Sequence, residues 1–148
     1  MTNRFHVWTQ ESVTSAADCV TRHHHRVHTT AHLLFGVVDR GKRMSQFMEQ
    51  ECHVSMLTFD AILHDTKFIP DGLGPDYRFS KGYVSVLKLA EELSHSDPIS
   101  GGGEIHPEHL LAAILIVNDK DTRLFVRRFN LQVDSIVSQL VKPRAQAS

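Results

Sequence analysis

A segment of the chain recurs in its second half at a constant offset, and this internal repeat restricts the possible folds more than any other feature. His32-Leu33-Leu34 returns as His109-Leu110-Leu111. Few residues are identical at this offset, but apolar positions coincide, which predicts two copies of one packing unit. The coinciding pairs are Val37 with Ile114, Val38 with Leu115, Phe47 with Leu124, Met48 with Phe125, Val54 with Leu131, Met56 with Val133, Phe59 with Ile136 and Leu63 with Leu140.

Each copy has the three- and four-residue apolar spacing of amphipathic helices, and we find no alternation typical of strands. The predicted class is therefore all-α, with about eight short helices in two pseudo-symmetric four-helix repeats. One copy could hardly bury its own apolar faces, so we expect both to pack as one domain. The predicted helices span 9–25, 30–40, 43–52 and 54–65, then 80–95, 107–118, 120–129 and 131–142. Repeat one covers about 5–65, a connector 66–79, repeat two about 80–142, and a polar C-terminal linker 143–148.

The charge balance, the length of the apolar runs and the two cysteines limit the possible functions and cellular locations. The net charge is −1, from 16 basic and 17 acidic side chains, which offers no electrostatic surface for nucleic acid or an anionic membrane. No apolar run has the length of a signal-peptide core or a membrane span. Cys19 and Cys52 lie in apolar-periodic stretches and are interpreted as buried free thiols. We expect a cytoplasmic or organelle-matrix protein.

Eleven histidines are unusual, and full protonation would bring the net charge from −1 to +10. Two interpretations are open: solvated surface imidazoles or a pH-sensitive device, and the first is favoured. His28-x-x-x-His32 and His106-x-x-His109 have spacings that place two imidazoles on one helix face. Without a recognised ligand pattern, we interpret them as structural residues at helix starts rather than zinc ligands. The prediction is no metal and no cofactor.

Enzymatic motifs are weak. Gly36 to Arg43 almost matches a phosphate-binding loop, but Arg43 replaces the required Ser or Thr, and Gly36 lies within a helical apolar pattern. No signature pairs either cysteine with a base, so a catalytic thiol is disfavoured. Met44, Met48 and Met56 are interpreted as core rather than as a peptide groove. We therefore predict that this chain by itself is not an enzyme.

The repeated unit resembles the double Clp repeat found at the N-terminus of Clp AAA+ chaperones. The motif that opens the second helix of each repeat in that family stands here as Thr30-Ala31-His32-Leu33-Leu34 and Pro107-Glu108-His109-Leu110-Leu111, with Ala31 in place of the usual Glu. The segment from Ser80 to Ala90 is most similar to the ClpB disaggregase branch. The resemblance implies a domain that recognises substrate or adaptor proteins, followed by AAA+ modules in a longer parent.

The resemblance also implies a binding site. Unfolded or aggregated polypeptide would dock in an apolar groove beside the first helix of repeat two and the start of the next, which points to Leu87, Leu89 and Glu108. Residues two apart on a helix face different ways, so at least one leucine is expected off the core stripe; the alternative is that both are core. The competing function is a free-standing adaptor or structural module that docks one dedicated partner, such as a Clp ring, a protease or a secretion-sheath protein.

Overall fold

A computed structural model describes residues 5–68, 78–96 and 104–141 of the chain. Within these residues the secondary structure is entirely α-helical apart from two isolated bridges, as the sequence predicts. Residues 69–77 of the predicted connector, 66–79, and the whole predicted linker, 143–148, lie outside the described residues. The helices are α1 Val7–Arg22, α2 Thr30–Arg40, α3 Arg43–Gln50, α4 Met56–Asp65, α5 Lys81–Ser96, α6 Pro107–Val117, α7 Lys120–Arg128 and α8 Val133–Leu140.

The repeat is visible in the helix boundaries. Helices α6, α7 and α8 begin at the positions equivalent to the first residues of α2, α3 and α4 under the offset that relates His32 to His109. Helices α1 and α5 are equally long, but the segment that follows the first helix is longer in repeat two, spanning 97–106 against 23–29. His53 and Asn130, which are equivalent under the offset, both adopt left-handed backbone conformations, with φ of 57° and 53°. The same turn therefore joins the third and fourth helices of both repeats.

Some predicted boundaries are wrong. Helix α1 ends at Arg22 rather than near residue 25, because His24 has a left-handed backbone, with φ of 58°, that ends the helical path. Helices α4 and α8 begin slightly later than predicted, since the left-handed turns at His53 and Asn130 come first. In repeat one, Ser55 then caps α4 by accepting a hydrogen bond from the Thr58 amide.

Helices α2 and α6 form the centre of the core. Nine residues of α2 and eight of α6 are buried, which agrees with their nearly continuous apolar sequences. Helix α1 crosses α2 at Gly36, where an added Cβ would collide with the carbonyl oxygen of Ser12. Most coinciding apolar pairs are buried together, including Met48 with Phe125. Leu124, the equivalent of Phe47, departs most from this pattern and is 41% exposed, because the inward face of α7 consists of Asp121, Thr122 and Phe125.

Two short backbone bridges connect the two repeats. Phe5, before α1, forms a parallel bridge with Ile105, before α6, and His28, before α2, forms one with Phe79, before α5. In both bridges, the segment before the first helix of one repeat pairs with the segment before the second helix of the other repeat. The hydroxyl of Thr9 reinforces the first bridge by donating to the Ile105 carbonyl at 2.6 Å.

A side-chain contact also joins the repeats. Thr30, the first residue of α2, donates its hydroxyl proton to Asp119 Oδ1 at 2.6 Å. The same Asp119 oxygen caps α7 by accepting from the Thr122 amide at 3.0 Å. Gly82 of α5 leaves room for this carboxylate, since a Cβ there would overlap it. Among the described residues, no helix is long and apolar enough to cross a membrane.

Candidate functional site

The two leucines predicted to bind peptide lie at opposite edges of the buried face of α5. Tyr83, Val86 and Ala90 form the centre of that face and are buried. Leu87 and Leu89 are both half-buried and both pack against the core. Successive helical residues are rotated by about 100°, so the two side chains are about 160° apart by the shorter path around the axis. One extended peptide lying along α5 would therefore contact one of them rather than both.

Glu108 forms an ion pair with the first repeat. It lies in the first turn of α6, where a carboxylate is favoured by the helix dipole. Its Oε2 accepts a hydrogen bond from Arg43 Nη2 at 2.7 Å, and Arg43 is the first residue of α3. The Arg43 side chain is 76% exposed and the Glu108 side chain 23%. A basic substrate would have to displace an already bound guanidinium, and the mobility expected of an exposed arginine makes that exchange feasible.

His32 forms part of the hydrogen-bonded start of α2. The amide of Thr29, the N-cap residue, donates to His32 Nδ1 at 3.0 Å, as a Glu or Gln side chain does in a capping box. His32 Nε2 lies 2.8 Å from His25 Nδ1, and His25 Nε2 lies 3.1 Å from the carbonyl oxygen of Thr66. This linear arrangement connects α2 to the end of α4 through two imidazoles. The prediction of a structural helix-start histidine is confirmed here.

Repeat two has the same cap. The His106 amide donates to His109 Nδ1 at 2.9 Å, so the two His-Leu-Leu motifs have one structural role. His106 stacks on His6, with ring centroids 4.5 Å apart, beside the Phe5–Ile105 bridge. Burial lowers the pKa of His106, and the neighbouring His6 and His109 lower it further.

The segment from Gly36 to Arg43, which nearly matches a phosphate-binding loop in sequence, does not adopt the conformation of such a loop. Gly36 lies within α2, Gly41 is the C-cap residue of α2, and Arg43 begins α3. A phosphate-binding loop instead follows a strand and presents its amides at the start of a helix. Met44 and Met48 are buried and Met56 is half-buried and packed on the core, which agrees with their interpretation as core residues. Both cysteines are free thiols, with Cys19 buried and Cys52 half-buried.

The family profile of the Clp repeat (R) N-terminal domain matches residues 4–129. The chain belongs to this family. Clp N-terminal domains are generally non-catalytic modules that bind adaptors or substrates of Clp ATPases. The match includes all of repeat one and the first three helices of repeat two, so it contains every residue of the predicted site. The search of curated proteins gave no match.

In this Clp N-terminal domain, the most exposed large apolar residues are not those predicted from the sequence. Among the described residues they are Leu57, 86% exposed, followed by Val7, Ile116 and Leu124. Leu57 lies in the first turn of α4, whose buried positions are Phe59 and Leu63. A residue two positions before Phe59 points away from that buried face, so helical periodicity alone was sufficient to find Leu57.

Proposed function

We propose that this Clp N-terminal domain binds unfolded or aggregated polypeptide, or an adaptor that carries it, for a Clp-type ATPase. The supporting observation is that Leu87 and Leu89 are half-buried at the edges of α5. Each has one part anchored in the core and another part available to an apolar side chain of an extended peptide. In a longer parent protein, AAA+ modules would supply ATP hydrolysis. The similarity of Ser80 to Ala90 to the ClpB branch favours a disaggregase, in the cytoplasm or an organelle matrix.

The charge of Glu108 supports a preference among peptides. Glu108 faces solvent in part and is neutralised by Arg43, which is largely exposed. A lysine or arginine in the peptide can replace Arg43 at the Glu108 carboxylate, whereas an acidic residue would meet it unfavourably. The proposed substrate is therefore an apolar, extended segment that carries basic residues.

The test compares one model protein in two states. Its disulfide-bonded native form and its reduced, alkylated, permanently unfolded form are labelled, and binding of the isolated domain is followed by fluorescence anisotropy. We expect a micromolar dissociation constant for the unfolded form, about −8 kcal/mol, and much weaker binding of the native form. Equal affinity for both forms, or binding of neither, would reject the proposal.

Three variants locate the surface. Leu87→Ser and Leu89→Ser are tested separately because the two side chains lie on different edges of α5, and Leu57→Ser is the matched control on α4. We expect one α5 variant to weaken binding by roughly tenfold, or about 1.4 kcal/mol, while Leu57→Ser leaves it unchanged. Circular dichroism and thermal unfolding show whether each variant is folded. Unfolding of both α5 variants would support the alternative that the leucines are core residues.

The second candidate is an adaptor or structural module for one dedicated folded partner. The exposure of Leu57, at 86%, favours it, because a large apolar side chain so far from the buried face of α4 suits an interface. In that case Leu57→Ser would abolish capture of the partner, and the unfolded model protein would not compete.

A further inference from the structure

Three side chains with metal-binding donor atoms converge where α1 ends. Cys19 lies in the last turn of α1, and His23, four residues later, is the C-cap residue of that helix. Asp60 approaches from α4, and its Oδ1 lies 2.9 Å from His23 Nε2. One donor atom from each of the three residues can be chosen so that all lie within 4.8 Å of one another.

The donor set matches the preferences of zinc. A thiolate, an imidazole and a carboxylate are its three usual protein ligands, at about 2.3 Å for sulfur and about 2.0 Å for nitrogen and oxygen. Tetrahedral geometry at those lengths separates the donor atoms by about 3.3 to 3.6 Å. The widest separation in the cluster, at most 4.8 Å, would have to shorten by up to about 1.5 Å, and the 2.9 Å between His23 Nε2 and Asp60 Oδ1 would have to lengthen slightly. A cation at this place is also favoured by the negative C-terminal end of the α1 dipole.

We propose that Cys19, His23 and Asp60 form a zinc-binding site, with water or His64 as the fourth ligand. The ring of His64 has its centroid 5.5 Å from that of His23, which places it beside the cluster. The histidine spacings in the sequence predict no metal, so this site departs from the prediction. The proposal does not depend on the peptide-binding function, because none of its residues belongs to the α5 surface.

Arg22 places a positive charge beside Asp60 and His23. Its Nη1 lies 2.6 Å from Asp60 Oδ1 and 3.2 Å from His23 Nε2. The Arg22 side chain is half exposed, so it can turn toward solvent and leave the carboxylate to a metal ion. Arg22 is therefore a competitor of zinc, and its removal should tighten metal binding.

The protonation states also have consequences for binding. Burial raises the pKa of the Cys19 thiol to about 12, so the free protein holds a neutral thiol. Zinc replaces that proton, forms the zinc–sulfur bond and releases one proton to solvent from Cys19. Burial alone would raise the pKa of Asp60, but hydrogen bonds from Arg22 and His23 lower it, so this ligand is already ionised.

The experiment is a titration of the tag-free, reduced protein with Co²⁺, used as a spectroscopic substitute for Zn²⁺, followed by displacement with Zn²⁺. We expect a near-ultraviolet thiolate-to-cobalt charge-transfer band at one equivalent, which zinc abolishes. Cobalt binding without that band would mean that only surface histidines bind metal, and it would overturn the proposal. Failure to bind cobalt or zinc would also overturn it.

Matched variants identify the ligands. Cys19→Ala should remove the band and lower zinc affinity by roughly tenfold or more, whereas Cys52→Ala should leave both unchanged. Arg22→Gln should raise the affinity. If the Cys19→Ala variant does not fold, Asp60→Asn provides a second test, because the Asp60 side chain is partly exposed. This variant should also weaken zinc binding. Unchanged affinity in Asp60→Asn, or loss of the band in Cys52→Ala, would contradict the assignment.

Discussion

His32 Nε2 lies 2.8 Å from His25 Nδ1, and this contact fixes the position of the proton on both rings. Because the Thr29 amide donates to His32 Nδ1, the neutral His32 ring carries its proton on Nε2. That proton is donated to His25 Nδ1, so His25 carries its own on Nε2 and donates it to the Thr66 carbonyl. A second proton on either ring would place two N–H groups against each other and break the chain of hydrogen bonds.

Acid should therefore destabilise the domain. Burial, with the charges of His25, His28 and His23, lowers the pKa of His32 from 6.5 to about 3. Since the folded-state pKa lies below the unfolded one, the stabilisation is complete above about pH 6.5 and is lost as pH falls toward 3. Between pH 7 and pH 5 His32 alone should cost about 2 kcal/mol of the free energy of unfolding. Urea denaturation at both pH values measures this loss.

His32→Gln is the control for this dependence. Gln at the third helical position completes a standard capping box with Thr29, but it does not titrate. The variant should unfold with a shallower pH dependence than the parent, even if its stability at pH 7 is lower because the contact with His25 is lost. An equally steep dependence would show that other histidines cause it; His25 and His106, whose pKa values are also lowered, would be tested next.

Gly36→Ala should destabilise the protein although alanine favours helices. Helix propensity alone predicts a gain of about 1 kcal/mol. However, the new Cβ would collide with the Ser12 carbonyl oxygen, which belongs to the backbone of α1 and cannot turn aside. The helices must separate, and overpacking of this kind costs roughly 1 to 3 kcal/mol. Thermal unfolding should show a lower midpoint.

The second repeat contains the reciprocal control, because Ala113 occupies the position equivalent to Gly36. Ala113 is buried, so its Cβ is accommodated within the core. Ala113→Gly should cost about 1 kcal/mol through helix propensity, with a further loss for the small cavity. If Gly36→Ala were instead stabilising, the contact of α1 with α2 would have to be looser than the structure shows.

Asp119→Ala should lower stability by about 2 kcal/mol, since one oxygen both caps α7 and accepts the Thr30 hydroxyl from the other repeat. Asp119→Asn retains an oxygen in the same position and should lose less. Chemical denaturation of both variants measures the difference. Equal losses would indicate that the negative charge, rather than the shared acceptor, is what matters.

The Arg43–Glu108 pair should control the charge preference of peptide binding. Arg43→Gln frees the Glu108 carboxylate and should raise affinity for a lysine-containing peptide several-fold, while Glu108→Gln should lower it. A glutamate-containing peptide of equal length is the comparison and should respond in the opposite direction. Because the pair is largely exposed, stability should change by about 1 kcal/mol or less. Anisotropy at low and high salt measures the effect, and a response that is equal for both peptides would contradict it.

The starts of α2 and α6 were predictable because their signals are local. Pro107 opens α6 and a Thr or His residue caps each central helix, and these positions are read directly from the chain. The end of α1 was not predictable, since it depends on the backbone of His24 in a run of three histidines. The approach of Asp60 to Cys19 depends on how α1 and α4 pack, and no local pattern contains that information because the two residues are distant in sequence. The same limit applies to Glu108, whose pairing with Arg43 crosses the two repeats.

The two backbone bridges constrain the order in which the chain can fold. Phe5 finds its partner only at Ile105, in the second repeat, whereas His28 and Phe79 are much closer in sequence. At roughly 5 to 20 residues per second, a ribosome needs on the order of ten seconds between the synthesis of Phe5 and that of Ile105. During that time Phe5 lacks this partner, and the large sequence separation of the two residues makes the closure of this contact slow. The segment before the first helix of this domain can therefore complete its packing only after most of the chain has been synthesised.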